Sequence, residues 1–103
     1  MKFEILYFDG CPTYHSAEQT LREVLDNEGI DADIEMVAVN TDEEAARLTF
    51  PGSPTIRVDG LDLFPTAERQ DYRLGCRVYA TPEGLKGSPT ANMLRETIAP
   101  HLV

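Results

Sequence analysis

Lys2 to Phe8 opens the chain with a nearly unbroken apolar run, Phe3, Ile5, Leu6, Tyr7 and Phe8, the pattern of a β-strand covered on both faces. Asp9-Gly10 interrupts it. From Pro12 to Glu28, Tyr14, Ala17, Leu21, Val24 and Leu25 recur at helical spacing with Gln19, Arg22 and Asp26 opposite, which predicts an amphipathic helix that Gly29 ends in a left-handed residue. Asp33 to Val39 reads as a second strand. Thr41-Asp42-Glu43-Glu44 is a capping box in which the Thr41 hydroxyl accepts from the Glu44 amide, so a short helix follows, burying Ala45, Leu48 and Phe50. Pro51-Gly52-Ser53-Pro54 stops that helix, and Thr55 to Val58 is a third strand ended by Asp59-Gly60. Residues 61 to 73 hold Pro65 and five charged residues and read as a long loop, a length that in a compact domain signals function or a missed element. Arg77 to Ala80 is the expected fourth strand, and Ser88-Pro89 the expected start of a last helix with Ala91, Leu94 and Ile98 inward, ending at Pro100. The predicted order is β-α-β-α-β-β-α.

Composition narrows the class. At 103 residues, 42% hydrophobic and 26% charged, the chain suits one globular domain spanning residues 1–103 and lacks the signatures of disordered, collagenous or cysteine-scaffold proteins. Its formal charge of −9 opposes a phosphate backbone, so no nucleic-acid partner is expected. Residues 1 to 51 hold three basic residues (Lys2, Arg22, Arg47) against twelve acidic ones, and the remainder six of each; solubility is the favoured use of that imbalance. No apolar stretch nears membrane-spanning length and the first residues do not form a signal peptide, so no membrane partner is expected and the cytoplasm is the expected location. Stable disulfides are disfavoured there, which makes Cys11 and Cys76 reactive or buried thiols rather than a structural bridge. Two cysteines are too few for a four-cysteine zinc site or an intrachain iron–sulfur cluster. No resident metal or cofactor is expected.

Cys11 carries the candidate chemistry. It ends the turn between the first strand and the first helix, where unpaired amides stabilise a thiolate and lower its pKa. Pro12 fits the first turn because its missing N–H is not needed there. The same junction lies at the carboxyl edge of the sheet, where open α/β sheets place ligands. A plain capping residue with an unreactive thiol is the alternative.

The element order, together with Phe8-Asp9-Gly10-Cys11-Pro12-Thr13-Tyr14 and Ser53-Pro54-Thr55 at the third strand, resembles the thioredoxin-like family over essentially the whole chain. Arg57-Val58-Asp59-Gly60 and Cys76-Arg77-Val78-Tyr79 further resemble a small bacterial subgroup of that family, some members of which are grouped with organomercurial lyases. The resemblance implies an α/β thioredoxin-like fold, a mixed four-stranded sheet with helices on both faces, strand 4 being antiparallel to strand 3. It implies thiol–disulfide chemistry at Cys11, a cis Ser53–Pro54 bond lying against that cysteine, and a Ser53 backbone open to pair with an extended substrate. Pro12, Thr13, Tyr14, Ser53, Pro54 and Thr55 become candidate substrate-binding residues. The family's usual second cysteine is replaced by Tyr14, which favours packing over a hydroxyl aimed at the thiolate.

Cys76 is the other candidate thiol. With a sheet order of 2-1-3-4, strand spacing keeps it nearly ~10 Å from the Cys11 strand, beyond the roughly 7 Å Cα limit of a disulfide; a buried structural cysteine is the favoured reading, with a preformed bond or resolution after loop movement as alternatives. His15, at i+4 from Cys11, is read as solvated rather than as a partner on a soft metal, and His101 as inert. Arg57, Arg73 and Arg77 would serve an anionic thiol such as glutathione, or, as favoured, pair with Asp59, Asp62 and Asp71. The leading expectation is an oxidoreductase with one reactive cysteine, exchanging with protein or small-molecule disulfides and resolved by an external thiol, glutathione or another. The rival is a non-catalytic binding module for a soft metal, a mercurial or a protein.

Overall fold

The periodicities become a mixed α/β architecture in the computed structural model, which describes residues 1–66 and 72–102. Among the described residues, six strands and three helices follow one another as β1 (Lys2–Tyr7), α1 (Tyr14–Asn27), β2 (Asp33–Ala38), α2 (Asp42–Arg47), β3 (Thr55–Val58), β4 (Leu61–Asp62), β5 (Tyr79–Thr81), β6 (Gly84–Lys86) and α3 (Ala91–Ile98), with a 3-10 turn over Ala99–Leu102. The main sheet runs β2-β1-β3-β4, and β5 and β6 form a separate hairpin. β1 and β2 are parallel from Lys2 opposite Asp33 to Tyr7 opposite Ala38. β3 is antiparallel to β1 and β4 to β3.

Strand alternation divides the core in two. Phe3, Ile5, Ile56 and Val58 pack with Ala17, Leu21, Val24 and Leu25 of α1 and Leu94 and Ile98 of α3. Leu6 faces the other way, with Val39, Ala45 and Phe50. Helices thus cover both faces. The predicted α1 stripe is buried at 17, 21, 24 and 25, and Gly29 ends the helix at φ 66°. Thr41 caps α2 by accepting from the Glu44 amide at 3.1 Å. Thr41→Ala should therefore lower stability by about 1 kcal/mol, read as a shift in the urea midpoint without a change in slope.

Three sequence expectations are corrected. The fourth strand of the sheet is Leu61–Asp62, not Arg77 to Ala80, because Asp59 and Gly60, at φ 50° and 87°, make a two-residue hairpin that folds the chain straight back on β3. The sequence expectation at that turn is a strand end alone. The part of the expected long loop at residues 67–71 lies outside the described residues. The expected strand at 77–80 contributes only Tyr79 and Ala80 to β5, which pairs with β6 through the Pro82-Glu83 turn. Thr90, not Ser88, caps α3, accepting from the Met93 amide at 3.2 Å, so Pro89 precedes the helix. No helix among the described residues is long and apolar enough to cross a membrane.

Candidate functional site

The β1–α1 turn folds on itself through the Cys11 amide, which donates to the Phe8 carbonyl at 3.1 Å. Cys11 is buried at the end of that turn, Pro12 is exposed and Thr13 is the N-cap residue of α1. The Thr13 Oγ1 lies 3.1 Å from the Cys11 Sγ. In its thiol form Cys11 donates to the Ser53 carbonyl at 3.3 Å. Ser53–Pro54 is cis, as the resemblance implied, and Ser53, Pro54 and Thr55 are all buried. The Thr55 hydroxyl donates to the Gly52 carbonyl at 2.6 Å. Of the six candidate binding residues, Thr13 and Ser53 contact the Cys11 sulfur.

Tyr14 packs on neighbouring rings. Its ring stacks on Tyr7 with centroids 4.3 Å apart and lies 4.0 Å from the His15 ring, so packing is its role. Burial, then the charge of Asp9, pushes its hydroxyl pKa up. His15 is exposed on α1, and among the described residues no group of three or more His, Cys, Asp or Glu is placed to hold a metal ion.

Cys76 overturns its sequence reading. It is exposed, not buried, and it sits beside the site rather than a strand away. A parallel bridge pairs Ser53 with Cys76: the Ser53 amide donates to the Gly75 carbonyl, and the Arg77 amide donates to the Ser53 carbonyl, both at 2.8 Å. The chain itself has therefore taken both backbone groups of Ser53, which were expected to be open to a substrate. Lateral spacing no longer separates the thiols, because residues 75–77 dock on the loop before β3 instead of joining β3 in the sheet. Both cysteines are free thiols.

Arg77 and Tyr79, two residues apart and hence on one side of an extended segment, lock that docking. The Arg77 guanidinium, 5% exposed, donates to Asp62 at 3.0 Å, to the Thr55 hydroxyl at 3.3 Å and to the Phe64 carbonyl. It also lies 4.7 Å from the Tyr79 ring centroid. The Tyr79 hydroxyl, held protonated by burial, donates to the Pro54 carbonyl. Gly52, at φ 135°, leaves no room for a side chain, since a Cβ would stand 3.0 Å from the Arg77 backbone nitrogen. Cys76-Arg77-Val78-Tyr79 carries no periodicity that announces these supports. Of the two uses weighed for the arginines, Arg77 takes the favoured one, pairing with Asp62, but as a buried group, and Arg57 donates to the Leu48 and Thr49 carbonyls at 2.8 and 3.2 Å. Of the expected acidic partners, Asp71 lies outside the described residues.

The two thiols ionise differently. Burial pushes Cys11 up, but the Ser53 hydroxyl, the Thr13 hydroxyl and amide, and Cys76 together outweigh it and bring the pKa below the ordinary thiol value. The Ser53 Oγ is fully buried and meets no hydrogen-bond partner among the described residues. Cys76 goes the other way, raised by partial burial and then by its interaction with Cys11. The arrangement is one thiol poised to ionise and a second, exposed thiol held protonated next to it. No family model, curated protein or solved structure matches the chain.

Proposed function

We propose that the chain is a thioredoxin-like thiol–disulfide oxidoreductase in which Cys11 is the attacking thiolate. The observation that carries this reading is the placement of one buried sulfur, at the β1–α1 turn, 3.1 Å from the Thr13 hydroxyl and 3.3 Å from the Ser53 carbonyl of the cis Ser53–Pro54 loop. A thiolate attacks a disulfide sulfur and forms a mixed disulfide, and its rate follows the ionised fraction of the thiol. The substrate class is a protein or small-molecule disulfide, the reductant a small thiol such as glutathione, and the setting a reducing cytoplasm. No resident cofactor enters the reaction.

The test is the pH dependence of alkylation. A lowered pKa keeps Cys11 ionised to lower pH, so its iodoacetamide rate should reach half its plateau below the ordinary thiol value of about 8.5, while that of Cys76 should do so above it. The midpoint is the readout, because restricted access of the reagent to the Cys11 sulfur slows the rate at every pH without moving the midpoint. A Cys11 midpoint at or above that of Cys76 overturns the reading. Burial of Cys11 favours a second reading, a thioredoxin-shaped binding module without turnover that takes a soft metal, a mercurial or a protein. It prevails if Cys11 forms no mixed disulfide with any small disulfide while the protein stays folded.

A further inference from the structure

Resting on the exchange reading above, we propose that Cys76 is the internal resolving thiol for Cys11, and that the two form a reversible disulfide across Ser53. The geometry is local. One backbone residue, Ser53, receives Cys11 on its carbonyl at 3.3 Å and pairs with Cys76 as its bridge partner, with the Arg77 amide on the same carbonyl oxygen at 2.8 Å. A second observation points to this spot: the Ser53 Oγ is buried without a hydrogen-bond partner, on the residue that contacts the Cys11 sulfur and pairs with Cys76. The Cys76 segment is not held by that bridge alone. Arg77 and Tyr79 fasten it to Asp62, Thr55 and Pro54, and Gly52 allows the close approach of the two backbones. Pre-organisation of this kind turns the second exchange into an intramolecular step.

The chemistry balances in two exchanges. The Cys11 thiolate attacks one sulfur of a substrate disulfide; the Cys11–substrate S–S bond forms, the substrate S–S bond breaks and one substrate thiolate leaves. Cys76 then loses its proton to solvent or to that departing thiolate and attacks the Cys11 sulfur. The Cys11–Cys76 bond forms and the second substrate thiolate leaves. Two protein thiols are oxidised and one disulfide is reduced by two electrons; two equivalents of a monothiol, or one dithiol, return the protein to its starting state. The order has a physical basis. Cys76 is held protonated in part by its interaction with Cys11, and that restraint is removed once the Cys11 sulfur is bonded to substrate, so the resolving thiol is freed by the step that creates its target.

The experiment uses intact-protein mass spectrometry after brief exposure of the full chain to oxidised glutathione, without added reductant. Wild type should lose the mass of two hydrogens, with the Cys11–Cys76 link found on peptide mapping and two glutathiones released per chain. Cys76→Ser should instead hold one glutathione on Cys11, and that adduct should last roughly a hundredfold longer than in wild type, because only an outside thiol can remove it. Gly52→Ala, which pushes on the Arg77 backbone, should slow closure of the internal disulfide while leaving adduct formation in place. Circular dichroism of each variant establishes that it is folded; Cys76 is exposed, so its substitution removes little packing. Wild type that keeps a glutathione on Cys11 and closes no disulfide overturns the resolving role and leaves the proposed exchange function standing. Wild type that forms neither an adduct nor the internal disulfide, together with no adduct on Cys76→Ser, defeats the exchange function, and the resolving role with it.

Discussion

Arg77→Met should cost about 3–5 kcal/mol of stability, the effect of removing one partner from a buried ion pair. Arg77 is 5% exposed and Asp62 17%, so the carboxylate left behind has little water to turn to, and the Phe64 carbonyl and Thr55 hydroxyl lose a donor with it. Methionine keeps the apolar stem against Tyr79 and isolates the loss of charge. Replacing both partners, Arg77→Met with Asp62→Leu, should recover most of that stability, since the pair is worth far less as a unit than either charge costs alone. The measurement is urea unfolding of the four members of the cycle. A loss below about 1 kcal/mol in Arg77→Met would mean that the pair behaves as a surface ion pair. The same substitution should loosen residues 75–77 from Ser53, and faster hydrogen exchange of the Arg77 amide would report it.

The sheet strands and helices that pack against it were legible because each rests on a period of two or 3.6 residues and a recognisable stop. Phe3 and Ile5 against Leu6, and the stripe Ala17, Leu21, Val24, Leu25, assign faces without any knowledge of contacts. The cap at Thr41 and the left-handed Gly29 rest on side-chain and backbone chemistry within a few residues. The region from 59 to 87 was less legible. Asp59-Gly60 carries the same signature whether it merely ends a strand or reverses it into a hairpin, and only the pairing of Leu61–Asp62 with Arg57 and Val58 decides. Cys76 to Ala80 has the composition of a strand, and its backbone does pair, but with the loop at Ser53 and with β6 instead of the sheet. The decisive interaction is the ion pair from Arg77 to Asp62, fifteen positions away in the chain. No local pattern encodes a partner at that range. The site divides the same way: Cys11, Thr13, Ser53 and Pro54 were nameable from short motifs, whereas the position of Cys76 depends on how a nonperiodic segment docks.

Cys11→Ser should reduce disulfide exchange to background, a fall of roughly a thousandfold or more, since a hydroxyl at that position neither ionises near neutral pH nor forms the mixed disulfide. Cys76→Ser should act differently. At high glutathione an outside thiol replaces the internal one, so reduction of a small disulfide substrate should remain nearly intact. At low glutathione the variant should slow in proportion to the thiol concentration, because release of the substrate has become bimolecular, whereas in wild type release is internal and glutathione is needed only to reopen the Cys11–Cys76 bond. Plotting the amount of substrate thiol released in the first turnover against glutathione separates the two cases: wild type should release both halves with none present, and the variant one. Equal and complete loss of activity in two folded variants would mean that Cys11 cannot react productively without its partner at any thiol concentration. Full activity in Cys11→Ser would remove the helix-terminal thiol from the chemistry altogether, leaving the exposed Cys76, with its raised pKa, as the reacting group.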